Sequence, residues 1–343
     1  MSIKFLSTTS AFLLSTSMLV ADVPKVTVDI APVHSLVSKV MDGVGKPDLI
    51  IPAGASPHEY QLKPSNAKSL QDADIVFWIG EDLTPWLEKG LSSLAQDASI
   101  TSLLEVNGVE LLSFREGALF EAHDHDDHDD HDDHDDHGKK KHDDHDDHDD
   151  HDDHGKKNHD DHDDHDDHEG HAHGEHDPHA WLSPQIAKIW LNNIAAKLSE
   201  IDPDNAASYF SNAKLARDNI DSLITEVNSI LDPIRDKKFV VFHDAYQYFE
   251  KSFNISASGA ISLGDASDPS PARLSEIRKR VVDEAVECVL AEPQYDPGLV
   301  KSVLEGTNAK TTVIDPLGVS LETGPNLYES LIRNLATNLA KCF

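Results

Sequence analysis

Four of the 22 histidines in this 343-residue chain stand apart, and three of those share one kind of position. His58 lies in GASPHEYQLKPS just beyond an apolar run, and His179 in DPHAWLSP just before a helical pattern. His243 lies in FVVFHDAY at the end of an apolar stretch. In open α/β sheets, ligands gather at the carboxyl ends of strands and in the loops that follow. Three neutral imidazoles brought together there make a good zinc site and leave a fourth position for a carboxylate or water. Asp315, in TTVIDPLG directly after another apolar run, ranks first for that position together with water. A histidine lent by the tract described next ranks behind them. Taken singly, each histidine also reads as a packed or capping residue, and Asp315 as a turn residue before Pro316. His34, in APVHSLV, reads as a helix-start residue, and Glu59 is too close in sequence to His58 to share its ion.

The other eighteen histidines fall in one low-complexity tract, residues 123–177. They are His123, His125, His128, His131, His134, His137, His142, His145, His148, His151, His154, His159, His162, His165, His168, His171, His173 and His176. Most recur on an HDD beat. The tract's aspartates, glutamates and lysines leave it at −21 of the formal −34, so the rest of the chain carries −13. With almost no apolar residue it cannot offset the entropy of ordering, and a disordered loop is expected in the absence of metal. In an extended three-residue helix the beat lines the imidazoles along one edge. In a flexible loop, His at i and i+3 can close around one ion. Such auxiliary sites suit collection, buffering or sensing of divalent cations, and protonation weakens them. The bland alternative is a solvated acidic linker. Neither portion of the chain carries a basic patch suited to nucleic acid or an anionic membrane.

The start, MSIKFLSTTSAFLLSTSMLVADVPKV, has the build of an export signal over residues 1–21. Lys4 provides the positive start and Ala21 a cleavage position, and the apolar run is too short and too rich in Ser and Thr to span a bilayer. No cysteine sits at its end for a lipid anchor. An exported, soluble mature chain is expected. In an oxidising compartment its two cysteines, Cys288 and Cys342, would pair and tie the last helix to a core strand. Two free thiols are the alternative.

These residues need a frame to bring them together. VTVDIAPV, LIIP and DIVFWIG read as strands alternating with helical segments, and the pattern resumes after the tract with KKFVVFHDA, ECVLAEP and TTVIDPLG. Such alternation predicts parallel sheets covered by helices on both faces. Between the two runs, residues 203–231 keep a 3.6-residue apolar period, with Asp202 as the expected cap. The expected architecture is α/β: a first lobe over 22–202, interrupted by the tract, a long linking helix over 203–231, and a second lobe over 232–343. Metal would lie in the cleft between the lobes.

At GASPHEYQLKPS, DADIVFWIG, DPHAWLSP, VFHDAYQYFE, CVLAEPQ and VIDPLG the chain resembles the zinc-binding solute-binding proteins of bacterial ABC transporters, within the zinc and manganese cluster. The resemblance covers nearly the whole mature chain. It implies two α/β lobes joined by one rigid helix, with Zn2+ carried between them in the periplasm. It also implies a monomer that delivers the ion to a membrane permease driven by a separate ATPase subunit. His58, His179 and His243 match the family's zinc-binding histidines. Manganese-preferring members place a carboxylate where His243 stands, and Pro57 replaces a glutamate that some zinc members use. Cys288 and Cys342 match a disulfide of some relatives. A zinc hydrolase would also use three histidines and water, but no HExxH and no second metal cluster accompany them, so no enzyme is expected. A secreted metal buffer or adhesin that displays the tract is the third reading.

Overall fold

The computed structural model describes residues 23–115, 120, 176–262 and 269–343. The expected signal segment and the tract histidines from His123 to His173 lie outside the described residues, whereas His176 lies inside them.

The first lobe runs β1 (Val26–Val28), α1 (Ala31–Val40), β2 (Asp48–Leu49), α2 (Pro64–Asp72), β3 (Ile75–Trp78), α3 (Pro85–Leu94) and β4 (Ser99–Ser102). Its strands are parallel in the order β2-β1-β3-β4. The central strands are buried throughout, as expected where helices cover both faces, which is why IVFW carries no polar alternation. Asp29, just after β1, is fully buried and pins the strand ends together. Its carboxylate accepts the N–H of Ile30 at 2.7 Å and of Ile79 at 2.6 Å, and burial pushes its pKa up to about 7.

Two long helices follow, α4 (Pro184–Ile201) and α5 (Ala206–Leu231). Ser183 caps α4 by accepting from the Ile186 N–H, and the Trp190 indole ties that helix to the Leu103 carbonyl at 2.8 Å. The linking helix begins later than its periodicity predicts, because Pro203–Asn205 forms a separate 3-10 turn. Asp202 does not cap its backbone. Its Oδ2 instead accepts from the Asn205 amide at 2.7 Å and the Tyr209 hydroxyl at 2.8 Å. At 26 residues α5 is about 39 Å long. It packs on α1 and α4 and also on the final helix, α9 (Leu327–Lys341).

The second lobe runs β5 (Phe239–His243), α6 (Gln247–Phe253), β6 (Ala260–Ser262), α7 (Pro271–Asp283), β7 (Cys288–Ala291), α8 (Pro297–Leu304), β8 (Lys310–Val313) and α9 (Leu327–Lys341). Its parallel order, β6-β5-β7-β8, repeats that of the first lobe. The repeat pattern of strands thus holds, with two additions that sequence patterning does not reveal, β4 and β6. Each is a short edge strand with one neighbour, and at four and three residues SITS and AIS are too short to announce themselves.

The last helix serves both lobes. The Ser35 hydroxyl of α1 accepts from the Tyr328 N–H at 3.0 Å, and Lys39 pairs with Glu329 at 2.9 Å. At its end a Cys288–Cys342 disulfide joins it to β7, with Cα atoms 5.9 Å apart. Closing a loop of 54 residues in the unfolded chain stabilises the fold by about 4 kcal/mol on chain-entropy grounds.

Candidate metal site

The two sheets direct their carboxyl ends into one cavity of about 320 Å³, and His58, His179 and His243 all line it. His243 is the last residue of β5, so the ladder that buries FVVFH also fixes its Cα. His179 sits at the head of the short turn Ala180–Leu182 that leads into α4. Trp181, next in that turn, donates its indole N–H to the Pro316 carbonyl of the second lobe at 2.8 Å, which secures the turn from across the cleft. His58 rides on the loop between β2 and α2. That loop is held by the Trp86 indole, which donates to the Pro57 carbonyl at 2.7 Å, and by the Ser56 hydroxyl, which accepts from the His58 N–H at 3.3 Å.

Ring centres of His179 and His243 are 5.4 Å apart, and those of His58 and His179 are 5.8 Å apart. Two imidazoles bound through Nε2 to one tetrahedral zinc have centres about 5 Å apart, given Zn–N distances of about 2.0–2.1 Å. The rings therefore stand slightly wider than a bound ion would hold them. Accordingly, among the described residues no three His, Cys, Asp or Glu side chains are already drawn together around a point that could hold an ion.

Carboxylates fix two of the rings. His179 Nδ1 faces Asp177 Oδ1 at 2.8 Å, and His243 Nδ1 faces Glu292 Oε1 at 2.7 Å. All four residues are buried. A carboxylate at Nδ1 favours the tautomer that carries its proton there and its lone pair on Nε2, the arrangement that orients histidine ligands in metal sites. Glu292 lines the cavity, and its other oxygen is buried near the Tyr246 hydroxyl. Sequence patterning passes over both acids. The clue for Glu292 is its place in CVLAEPQ, directly after β7, and for Asp177 its place two residues before His179.

Asp315 is not brought to the cavity wall. Its Oδ1 accepts the N–H groups of Leu317 and Gly318, each at 3.0 Å, and its Oδ2 accepts that of Val319. The turn role open to an Asp before Pro316 is the one it fills here. His34 lines a different cavity with Nε2 at 3.1 Å from the Pro47 carbonyl, and burial lowers its pKa. His176, the last tract histidine, pairs with Ser113 in an isolated antiparallel bridge and lies 3.9 Å from Asp82, outside the cavity lining.

The segment leading into the tract is anchored on the second lobe. Arg115 forms ion pairs with Asp244, beside His243, and with Glu250 of α6. Burial works against its charge, but the two acids hold Arg115 protonated above its ordinary value. The Phe120 ring lies over the guanidinium at 3.6 Å.

A family model described as "Zinc-uptake complex component A periplasmic" matches residues 26–342. The chain is similar to the high-affinity zinc uptake system protein ZnuA of Brucella abortus (strain 2308), 46% identical over 317 residues, which cover 92% of this chain and 91% of that protein. Among solved structures, it resembles a zinc-bound ZnuA deletion mutant with a TM-score of 0.68 at 20% identity, over 94% of this chain and 98% of the other. It resembles equally the solute-binding protein FpvC of Pseudomonas aeruginosa in complex with Mn2+, with a TM-score of 0.69 at 17% identity, over 93% and 97% of the two chains. At such identities the structural likenesses establish the fold alone.

Proposed function

We propose, from the premise that the chain belongs to the family of periplasmic zinc-uptake complex component A proteins, that it captures Zn2+ between its lobes and hands it to the membrane permease of an ABC transporter. It is a binding protein of zinc uptake and not an enzyme. The carrying observation is that three histidines from both lobes line one cavity, two of them with Nδ1 held by a buried carboxylate. His58, His179 and His243 are the proposed ligands through Nε2, with water in the fourth position. Asp315 could join only at the expense of the turn it holds together. Imidazole suits zinc better than the harder Mn2+, which favours oxygen donors.

A carrier must release its ion, and rings that stand slightly wide of a closed site suit capture by a modest inward movement. Periplasmic location agrees with the export signal read from residues 1–21, and no helix among the described residues is long and apolar enough to cross a membrane. A monomer working with separate permease and ATPase subunits is the proposed assembly. The His/Asp-rich tract is proposed as the collector that feeds or reports on this site.

Competitive zinc titration tests the reading, with the chain from residue 22 compared with His58→Ala, His179→Ala and His243→Ala. A structural zinc held by four ligands is worth about 10–16 kcal/mol, or roughly 3 kcal/mol per ligand, so each variant should bind roughly 100-fold more weakly. A variant lacking residues 121–175 should keep one tight zinc. If that deletion removes all tight binding while the histidine variants keep it, the site lies in the tract and the reading fails.

A further inference from the structure

Asp177 closes the His/Asp-rich sequence, yet it is only 1% exposed and belongs to the fold rather than to the repeat. Its Oδ1 accepts the His179 N–H at 2.9 Å while facing His179 Nδ1 at 2.8 Å. Its remaining side-chain oxygen faces the other lobe: Gln247 Nε2 donates to Oδ2 at 3.2 Å, and the Tyr248 hydroxyl donates to the Asp177 carbonyl at 3.1 Å. The same two residues hold the neighbouring strand of the tract's root. Gln247 Nε2 donates to the Ser113 carbonyl at 3.0 Å, and the Leu112 N–H donates to the Tyr248 hydroxyl at 3.0 Å. Asp177 in turn donates its own N–H to the Leu112 carbonyl at 2.8 Å. Gln247 and Tyr248 open α6, which directly follows the His243 strand end.

The two carboxylate–histidine pairs therefore differ in what stands behind them. Glu292 comes from β7, next to β5 in the same sheet as His243. Asp177 belongs to the first-lobe segment but is gripped by α6. We infer that Asp177 is a positioning residue that presents His179 Nε2 to the cleft, and that it makes this presentation depend on the docking of α6 from the second lobe. The inference rests on His179 being a ligand. When α6 withdraws, Oδ2 loses Gln247, the acid is freer to turn from Nδ1, and the imidazole loses its fixed tautomer. Separation of the lobes and loosening of the ion are then one event. The acid also sets where the tract ends in function: a truncation that stops at residue 175 spares the site, and one that continues through 177 damages it.

The experiment uses the chain from residue 22 with Asp177→Ala, Asp177→Asn and Gln247→Ala. Nitrogen-15 NMR of the imidazoles in the metal-free protein reads the tautomer, and competitive zinc titration reads affinity. In Asp177→Ala, His179 should lose its preference for a protonated Nδ1 while His243 keeps its own, and zinc binding should weaken roughly 10–100-fold, as for other supporting carboxylates. Asp177→Asn keeps the volume and one acceptor oxygen, so it should fall between wild type and Asp177→Ala, and it stands in if the alanine variant does not fold. Gln247→Ala removes the grip of α6 on Oδ2 but neither member of the Asp177–His179 pair, and it should weaken zinc about two- to tenfold, the worth of one hydrogen bond. An unchanged His179 tautomer in the Asp177 variants overturns the positioning role. An unchanged zinc affinity in Gln247→Ala overturns its dependence on α6. Failure of the site itself is read separately, from tight zinc persisting in His179→Ala.

Discussion

The two lobes repeat one strand order, β2-β1-β3-β4 and β6-β5-β7-β8, but they hold their histidines in different ways. In the second lobe, the proposed ligand and its support are borne by strands: His243 ends β5, and Glu292 follows the neighbouring β7. In the first lobe, His58 and His179 ride on loops, fixed by indole-to-carbonyl bonds from Trp86 and Trp181. One wall of the cleft is thus built to stay and the other to adjust. Under the proposed capture and hand-over of zinc, that division would put geometric precision on one side and compliance on the other. It also predicts that equal chemical insults will not have equal effects on the two sides.

The largest expected effect tests how far the second lobe is a self-contained unit. Replacing Cys288 and Cys342 by Ser should cost about 4 kcal/mol of stability, read by urea denaturation, while zinc affinity of the folded protein changes little. A large drop in affinity would mean that the β7 end carrying Glu292 relies on the disulfide, and the contrast between walls would weaken. Next comes Glu292→Gln, which leaves a neutral partner for His243 Nδ1. Zinc titration should show binding weakened roughly 10–100-fold with the lobe still folded. The smallest effect belongs to the compliant wall. Trp86→Phe removes one hydrogen bond to the His58 loop, worth about 1 kcal/mol, so zinc should weaken about fivefold or less. A loss equal to that of Glu292→Gln would show that the first-lobe loops are as exacting as the strands.

Much of this was legible in the residues. Apolar runs announced the buried central strands, and histidines placed beyond them led to one cavity because parallel strands deliver their carboxyl ends together. The pairing of Cys288 with Cys342 followed from export. What escaped detection depends on contacts between distant segments. Beyond its place after β7, nothing local marks Glu292 as the partner of a histidine 49 residues earlier, since that pairing exists only once β5 and β7 are adjacent. Asp177 was hidden by its surroundings, an acid among many acids, and its one local mark is its place two residues before His179. Asp315 shows how one position supports two readings: its place after a strand suggests a ligand and its place before Pro316 a turn residue, and three backbone N–H groups of the following turn donate to its oxygens. Asp202 likewise sits where a cap belongs, but Tyr209 and Asn205 engage its side chain first. Phe210 fits the apolar period of the linking helix and is nevertheless half exposed, because α4 and α9 cover α5 over a narrower stripe than the sequence pattern allows.

The antiparallel bridge between Ser113 and His176 brings the two ends of the inserted region side by side on the fold. An insertion that leaves and re-enters at one point places no geometric demand on the lobes. For the disordered loop that the tract's composition predicts, closure entropy grows only with the logarithm of length, so doubling its length would cost about 0.6 kcal/mol. The repeat count is therefore nearly invisible to folding. Slippage and duplication in a repetitive coding sequence can then lengthen or shorten it at little cost to the fold.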